Sequence, residues 1–174
     1  HTGIIARLLS KQCNILHGER LFVAGILHDI GKLILYYKEP KLSQQVLEAS
    51  ANSDGVLFHA EQELFGFTHA DVGGALIRAW NLADTLKDTV SYHHNPLAAK
   101  NYPVETAIVH IANCIVNAIG PDTELDEHLL DDVASRPPLA LNESLMRAAQ
   151  SRADEMAEHG DLSHLSPTAG QWPN

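Results

Sequence analysis

The chain has 174 residues and a mass of 19.0 kDa, the size of one domain long enough to bury a core. Its hydrophobic content of 45% is that of a globular protein and excludes a disordered chain. A net charge of −10, with no cluster of Lys and Arg, excludes non-specific nucleic-acid binding, which depends on basic side chains at phosphates.

In chain order, almost every stretch has the period of a helix. Thr2–Asn14 places Ile4, Ile5, Leu8 and Leu9 on one face. Glu19–Tyr37 reads as one continuous central helix, and Leu21–Tyr36 is apolar almost all round. Asp29 and Lys32 near its middle would each cost roughly 2.5–3.5 kcal/mol in a bilayer, so it is read as a core helix and not a membrane span. Pro40 breaks the chain before the amphipathic Lys41–Ala51, and Asn52–Gly55 is a turn signal. Val56–Phe65 follows. Thr68, with Asp71 three residues on, caps a helix through Trp80. Asp84–His94 is helical until Asn95-Pro96, and Pro103 opens Val104–Ile119. An acidic run, Asp122–Asp132, is read as solvated surface. Asn142–Glu158 is a last amphipathic helix before a loosely ordered tail, residues 161–174. No period-two run appears, so the fold class is all-α, a compact bundle of about seven or eight helices over residues 1–160. The chain begins at His1 and reads as a fragment. Cys13 and Cys114 sit among apolar residues as buried thiols and no signal peptide is visible, so a cytoplasmic location is expected. Trp80 and the Leu, Ile and Phe positions are assigned to the core.

The central helix carries His28, Asp29 and Lys32 on one face. A buried carboxylate beside an imidazole and an ammonium is costly unless paired or bound to metal. Further histidines stand in helices or at their ends: His1, His69 and the pair His93-His94. Val104–Ile119 has a single polar stripe, Thr106, His110, Asn113 and Asn117, which would face the first stripe across a polar interior.

The HDIGK motif at His28–Lys32, with a histidine one helix earlier, resembles the HD superfamily of metal-dependent phosphohydrolases. The stretches FVAGILHDIGKLIL, FGFTHADVGGALIRAWNL, YHHNP and IVHIANCI resemble in particular the HDOD family, the HD-related output domain of bacterial signalling proteins. The resemblance implies a further helical portion upstream of His1. It implies His1, His28 and Asp29 as first metal ligands, His69, His93 and His94 as further ones, and Lys32 near a substrate phosphate. Asp29 and Lys32 are thus the candidate catalytic residues. Such a nitrogen-rich set suits iron, manganese, nickel or zinc.

Two departures weaken the hydrolytic reading. Asn113 stands where a closing Asp is expected, so the last candidate metal ligand is an amide oxygen, weaker and uncharged, which removes one negative charge, and NPLAAKNYP follows His93-His94 in place of a Gly-Tyr-Pro signature. Asn113→Asp is expected to raise metal affinity if only charge was lost. The primary expectation is a regulatory output module acting on a signalling protein or an attached sensor or receiver domain. The alternatives are a divalent-metal phosphohydrolase acting on a phosphate-containing small molecule, and a metal- or ligand-sensing domain without turnover. No nucleic-acid or membrane partner is expected. A metal-free polar network around Asp29 stays open beside the metal site. His110 is read as a structural hydrogen-bonding residue; Glu61 or Glu63 could add a carboxylate near His69, with a solvated helix face as the safer reading of both.

Overall fold

The computed structural model describes residues 1–50 and 54–119. The acidic run, the last predicted helix, the tail and Asn52-Ser53 lie outside the described residues. Among the described residues there are eight α-helices, one 3-10 turn and no strand: α1 Thr2–Gln12, α2 Gly18–Leu27, α3 Ile30–Lys38, α4 Pro40–Ser50, α5 Asp54–Phe65, α6 His69–Ala79, α7 Asp84–Tyr92, a turn at Pro96–Ala98, and α8 Pro103–Ile119. The all-α class expected from periodicity is what the chain adopts.

The main core lies between α1, α2 and α8, where Ile5, Ala6, Leu21, Ala24, Ile108, Val109 and Ala112 are buried against one another. Full burial of each larger side chain contributes roughly 1.5–3 kcal/mol. Val46, Leu57 and Ala60 form a smaller cluster between α4 and α5. The polar site sits among α3, α5, α6, α7 and α8.

The predicted central helix is two helices. α2 ends at Leu27, His28 is its C-cap, and α3 restarts at Ile30. Asp29, at φ −98° and ψ 10°, occupies the bridge region between the two. No Pro or turn residue marks the break, so the apolar pattern runs through it. Its physical reason lies across the fold. α3 packs so tightly on the start of α6 that a Cβ on Gly31 would collide with the His69 carbonyl oxygen. The bend lets α3 reach α6, and only glycine permits that approach.

Other boundaries follow the sequence closely. The Thr68–Asp71 capping box forms: the Thr68 N–H donates to Asp71 Oδ2 at 2.9 Å and the Asp71 N–H donates to Thr68 Oγ1. Such a cap stabilises a helix by about 1 kcal/mol, and here it fixes His69 as the first residue of α6. Trp80 is not core. It is 54% exposed at the C-cap of α6, where the chain leaves the bundle. Leu33 and Ile26 also face outward. Cys13 and Cys114 are both half-buried, and neither is in a disulfide.

Candidate metal centre

Helix ends build the site. Asp29 stands in the bend between α2 and α3, and Lys32 lies three residues further along α3. His69 opens α6, while His93 caps α7 and is followed by His94. Side chains at helix ends can converge from several directions, which those on one helix face cannot.

Four atoms do converge. His69 Nε2 is 3.1 Å from His94 Nε2 and 3.3 Å from His93 Nε2. Asp29 Oδ1 is 3.3 Å from His69 Nε2 and 3.7 Å from His93 Nε2. All four ligand atoms lie within 4.8 Å of one another, and the three rings are buried. Two nitrogens bound at about 2.1 Å to one tetrahedral ion would stand roughly 3.4 Å apart, so the spacing matches the coordination shell of a single ion.

The tautomers support this. His93 Nδ1 is 2.9 Å from the Val90 carbonyl and His28 Nδ1 is 2.8 Å from the Gly25 carbonyl. A carbonyl only accepts, so each Nδ1 carries the proton and each Nε2 keeps its lone pair. His69 Nδ1 donates to Glu61 Oε2 at 2.6 Å, and the same oxygen accepts the His69 backbone N–H at 2.7 Å. His69 Nε2 therefore also turns a lone pair inward. Lone pairs facing one another at these distances repel unless a cation or a proton lies among them. A carboxylate behind a ligating imidazole fixes the ring and raises its basicity.

Charge points the same way. Asp29, Asp54 and Glu61 outnumber the one ammonium, Lys32, by two when the imidazoles are neutral. Buried charge of that sign calls for a dication. Burial would raise the Asp29 carboxyl, but His69, His93, His28 and Lys32 overcome it and hold Asp29 well below the usual carboxylate range. Burial likewise acts against the Lys32 ammonium, and Asp29 with Asp54 reverses the effect and holds it up. Burial pushes His93 down to about 4 and His94 well below 6.5, so both are neutral ligands at pH 7. For His69 burial is outweighed by Asp29 and Glu61, which raise it above its ordinary value. The donor set fits a divalent transition ion, with His69, His93, His94 and Asp29 as the residues that would hold it.

The residues singled out in the sequence divide. Asp29, His69, His93 and His94 come together. His28 lies at the rim, with Nε2 3.4 Å from Asp29 Oδ2 and its ring edge-on to His93. That Nε2 is buried and makes no hydrogen bond. His1 is exposed at the N-cap of α1 and is not one of the converging group. Lys32 is tied to Asp29 Oδ2 at 2.8 Å and to Asp54 Oδ1 at 2.6 Å. Asn113 turns its amide N–H to Asp54 Oδ2 at 2.8 Å, so its side chain acts as a donor toward a carboxylate. His110 donates from Nδ1 to the His93 carbonyl at 2.6 Å, the structural role expected of it.

One site residue, Asp54, escaped the sequence reading, and Glu61 was there only as the less favoured of two options. Glu61 is 1% exposed, not on a solvated face. α5 is apolar on several sides, so its periodicity did not say which way Glu61 points. Asp54 stood in a turn signal. It is the first residue of α5, and nothing local links it to Asn113, 59 positions away.

This fold and this group of ligand atoms define an all-helical domain of the HD type. The HDOD domain family matches residues 1–96, and the chain belongs to that family. A candidate phosphohydrolase from Shewanella amazonensis SB2B has a similar structure, with a TM-score of 0.61 at 25% identity over 91% of this chain and 57% of its own. An HDOD domain protein of unknown function from Geobacter sulfurreducens gives 0.61 at 24% identity, covering 94% and 60%. A candidate signal transduction protein from Marinobacter aquaeolei VT8 shares the fold, with a TM-score of 0.55 at 19% identity, covering 93% and 37%. An uncharacterized protein of Treponema pallidum (strain Nichols) is 24% identical over 107 residues, 61% of this chain and 21% of that protein. The chain thus spans about a fifth of that relative and three fifths or less of these solved chains. No described helix is long and apolar enough to cross a membrane.

Proposed function

We propose that this chain is a regulatory output module of bacterial signal transduction, cytoplasmic, that holds one divalent transition ion and acts on a protein partner. The partner is a separate signalling protein or an attached sensor or receiver domain. The observation that carries the metal part is the convergence of Asp29 Oδ1 with the Nε2 atoms of His69, His93 and His94. What favours regulation over turnover is the site's charge. An ion there would balance the surplus of buried carboxylates, and Lys32 is already bonded to two of them. Among the described residues no free cation at the centre remains to meet a substrate phosphate. Membership of an output-domain family supports the same reading.

A second reading, a phosphohydrolase acting on a phosphate-containing small molecule, is favoured by one feature: although Asp29 Oδ1 is buried with the histidines, the Asp29 side chain is 34% exposed, so solvent reaches this carboxylate from its other side. A bound divalent ion would supply Lewis acidity and a water of lowered pKa there. Metal analysis of the purified protein, with a phosphodiesterase and nucleotidase screen, separates the two. Stoichiometric metal without turnover is the expected result. Turnover that is lost in His69→Ala would establish the hydrolase instead. A chain that takes up no iron, manganese, nickel or zinc on incubation with excess would end the metal reading.

A further inference from the structure

The three converging histidines are not held alike. Glu61 fixes the His69 ring through Nδ1, and the Val90 carbonyl fixes the His93 ring through its own Nδ1. A ligating imidazole ordinarily has such a partner behind it. Among the described residues His94 has none. Its hydrogen-bond contact is through Nε2, the atom that faces the centre, 3.1 Å from His69 Nε2. The His94 ring is buried all the same.

Other rings hold it. The half-buried Phe58 ring lies 4.5 Å from the His94 ring, centroid to centroid, at an interplanar angle of 35°. The His93 ring lies 4.2 Å from it at 47°. Phe58 also meets His69 edge-on, with centroids 6.1 Å apart. Rings at such separations attract beyond what their buried area contributes. The helix places Phe58 there. Asp54, Phe58 and Glu61 stand at i, i+4 and i+7 of α5 and so share one face. Asp54 and Glu61 of that face reach the centre through Lys32 and His69. Leu57 and Ala60 instead pack with Val46 of α4.

We infer that Phe58 is the positioning residue for His94, and that it does by ring packing what Glu61 and the Val90 carbonyl do by hydrogen bonding for the other two rings. This rests on the reading of Asp29, His69, His93 and His94 as a metal centre. A flat ring against a flat ring limits tilt, which a branched aliphatic side chain of similar bulk does not. One face of α5 therefore supports two of the three imidazoles, His69 through Glu61 and His94 through Phe58.

The test compares wild type, Phe58→Leu and Phe58→Tyr. Each purified chain is titrated with Co2+, whose visible absorption reports the ligands around it, and circular dichroism follows the fold. Phe58→Leu is expected to stay helical, to bind Co2+ roughly 10-fold more weakly and to alter the visible spectrum. Phe58→Tyr keeps the ring and is expected to match wild type in both. A folded Phe58→Leu with an unaltered spectrum, whatever its affinity, would overturn the inference. Equal weakening in Phe58→Leu and Phe58→Tyr would overturn it too. One reading needs no variant: in zinc-loaded wild type, nuclear Overhauser contacts between the Phe58 and His94 ring protons are expected. Their absence would overturn the inference and leave the metal reading intact. A wild-type chain that binds neither Co2+ nor zinc would overturn both.

Discussion

One oxygen of Glu61 accepts two hydrogen bonds from His69, from the backbone N–H at 2.7 Å and from Nδ1 at 2.6 Å. The pair joins α5 to the first residue of α6, and it decides which ring nitrogen faces the centre. Glu61→Gln keeps the shape but removes the charge that favours the Nδ1–H tautomer. Metal affinity is expected to fall by roughly 10- to 100-fold, with the fold retained. Isothermal titration with zinc or manganese, alongside circular dichroism, measures both. Unchanged affinity would show that the carboxylate does not set the tautomer.

Gly31 sets the approach of α3 to α6. A methyl there would meet the backbone carbonyl of His69, an atom that cannot rotate away. Gly31→Ala is expected to destabilise the protein by about 1–3 kcal/mol and to weaken metal binding, because His69 must shift. Urea denaturation gives the first quantity and metal titration the second. Gly66, with nothing within 4 Å of its Cβ position, is the contrasting site. Gly66→Ala is expected to leave metal affinity unaltered, although its φ of 79° adds local backbone strain.

Asn113→Asp looks in the sequence like a restoration of lost charge. The Asn113 amide donation to Asp54 gives the change a cost in the metal-free protein. Two carboxylates in contact repel, and the clamp on Asp54 is lost. The metal-free variant is expected to lose roughly 1–3 kcal/mol at pH 7 and less at pH 5, where the pair shares a proton. Urea midpoints at the two pH values test this. A more stable variant at pH 7 would contradict the assigned contact.

The metal-free protein is expected to lose stability between pH 7 and pH 5. Burial holds His93 at about 4 and His94 well below its ordinary value near 6.5. Between those values the unfolded chain binds protons that the folded one refuses. Their contribution is therefore present above pH 6.5 and lost as pH falls, about 2 kcal/mol over this window for His93 alone. His69 has the opposite sign: burial lowers it, but Asp29 and Glu61 raise it overall, so its contribution is present at low pH and lost as pH rises through its folded value. Two groups oppose one, and the net slope is positive. Thermal unfolding after chelation, at pH 5, 6 and 7, reads it directly.

Most of the fold was legible because helical period, caps and proline breaks are local. Thr68–Asp71 and Pro103 show this: each marks the start of its helix where the structure has it. The bend at His28–Asp29 was hidden because its cause, the contact of Gly31 with His69, spans 38 positions and leaves no mark in the apolar pattern. Asp29, His69, His93 and His94 were legible through motif order. Asp54 was not, and Glu61 only as an option shared with Glu63, since a carboxylate's partner across the bundle is a matter of tertiary packing. His1 matched a motif by spacing, yet stands exposed at the end of α1.

The most direct measurement is metal content per chain in wild type, His69→Ala and His1→Ala after identical loading with manganese or zinc. One ion in wild type and in His1→Ala, and none in His69→Ala, is the predicted result. A wild-type chain without metal, or equal loss in both variants, would contradict a centre built from Asp29, His69, His93 and His94.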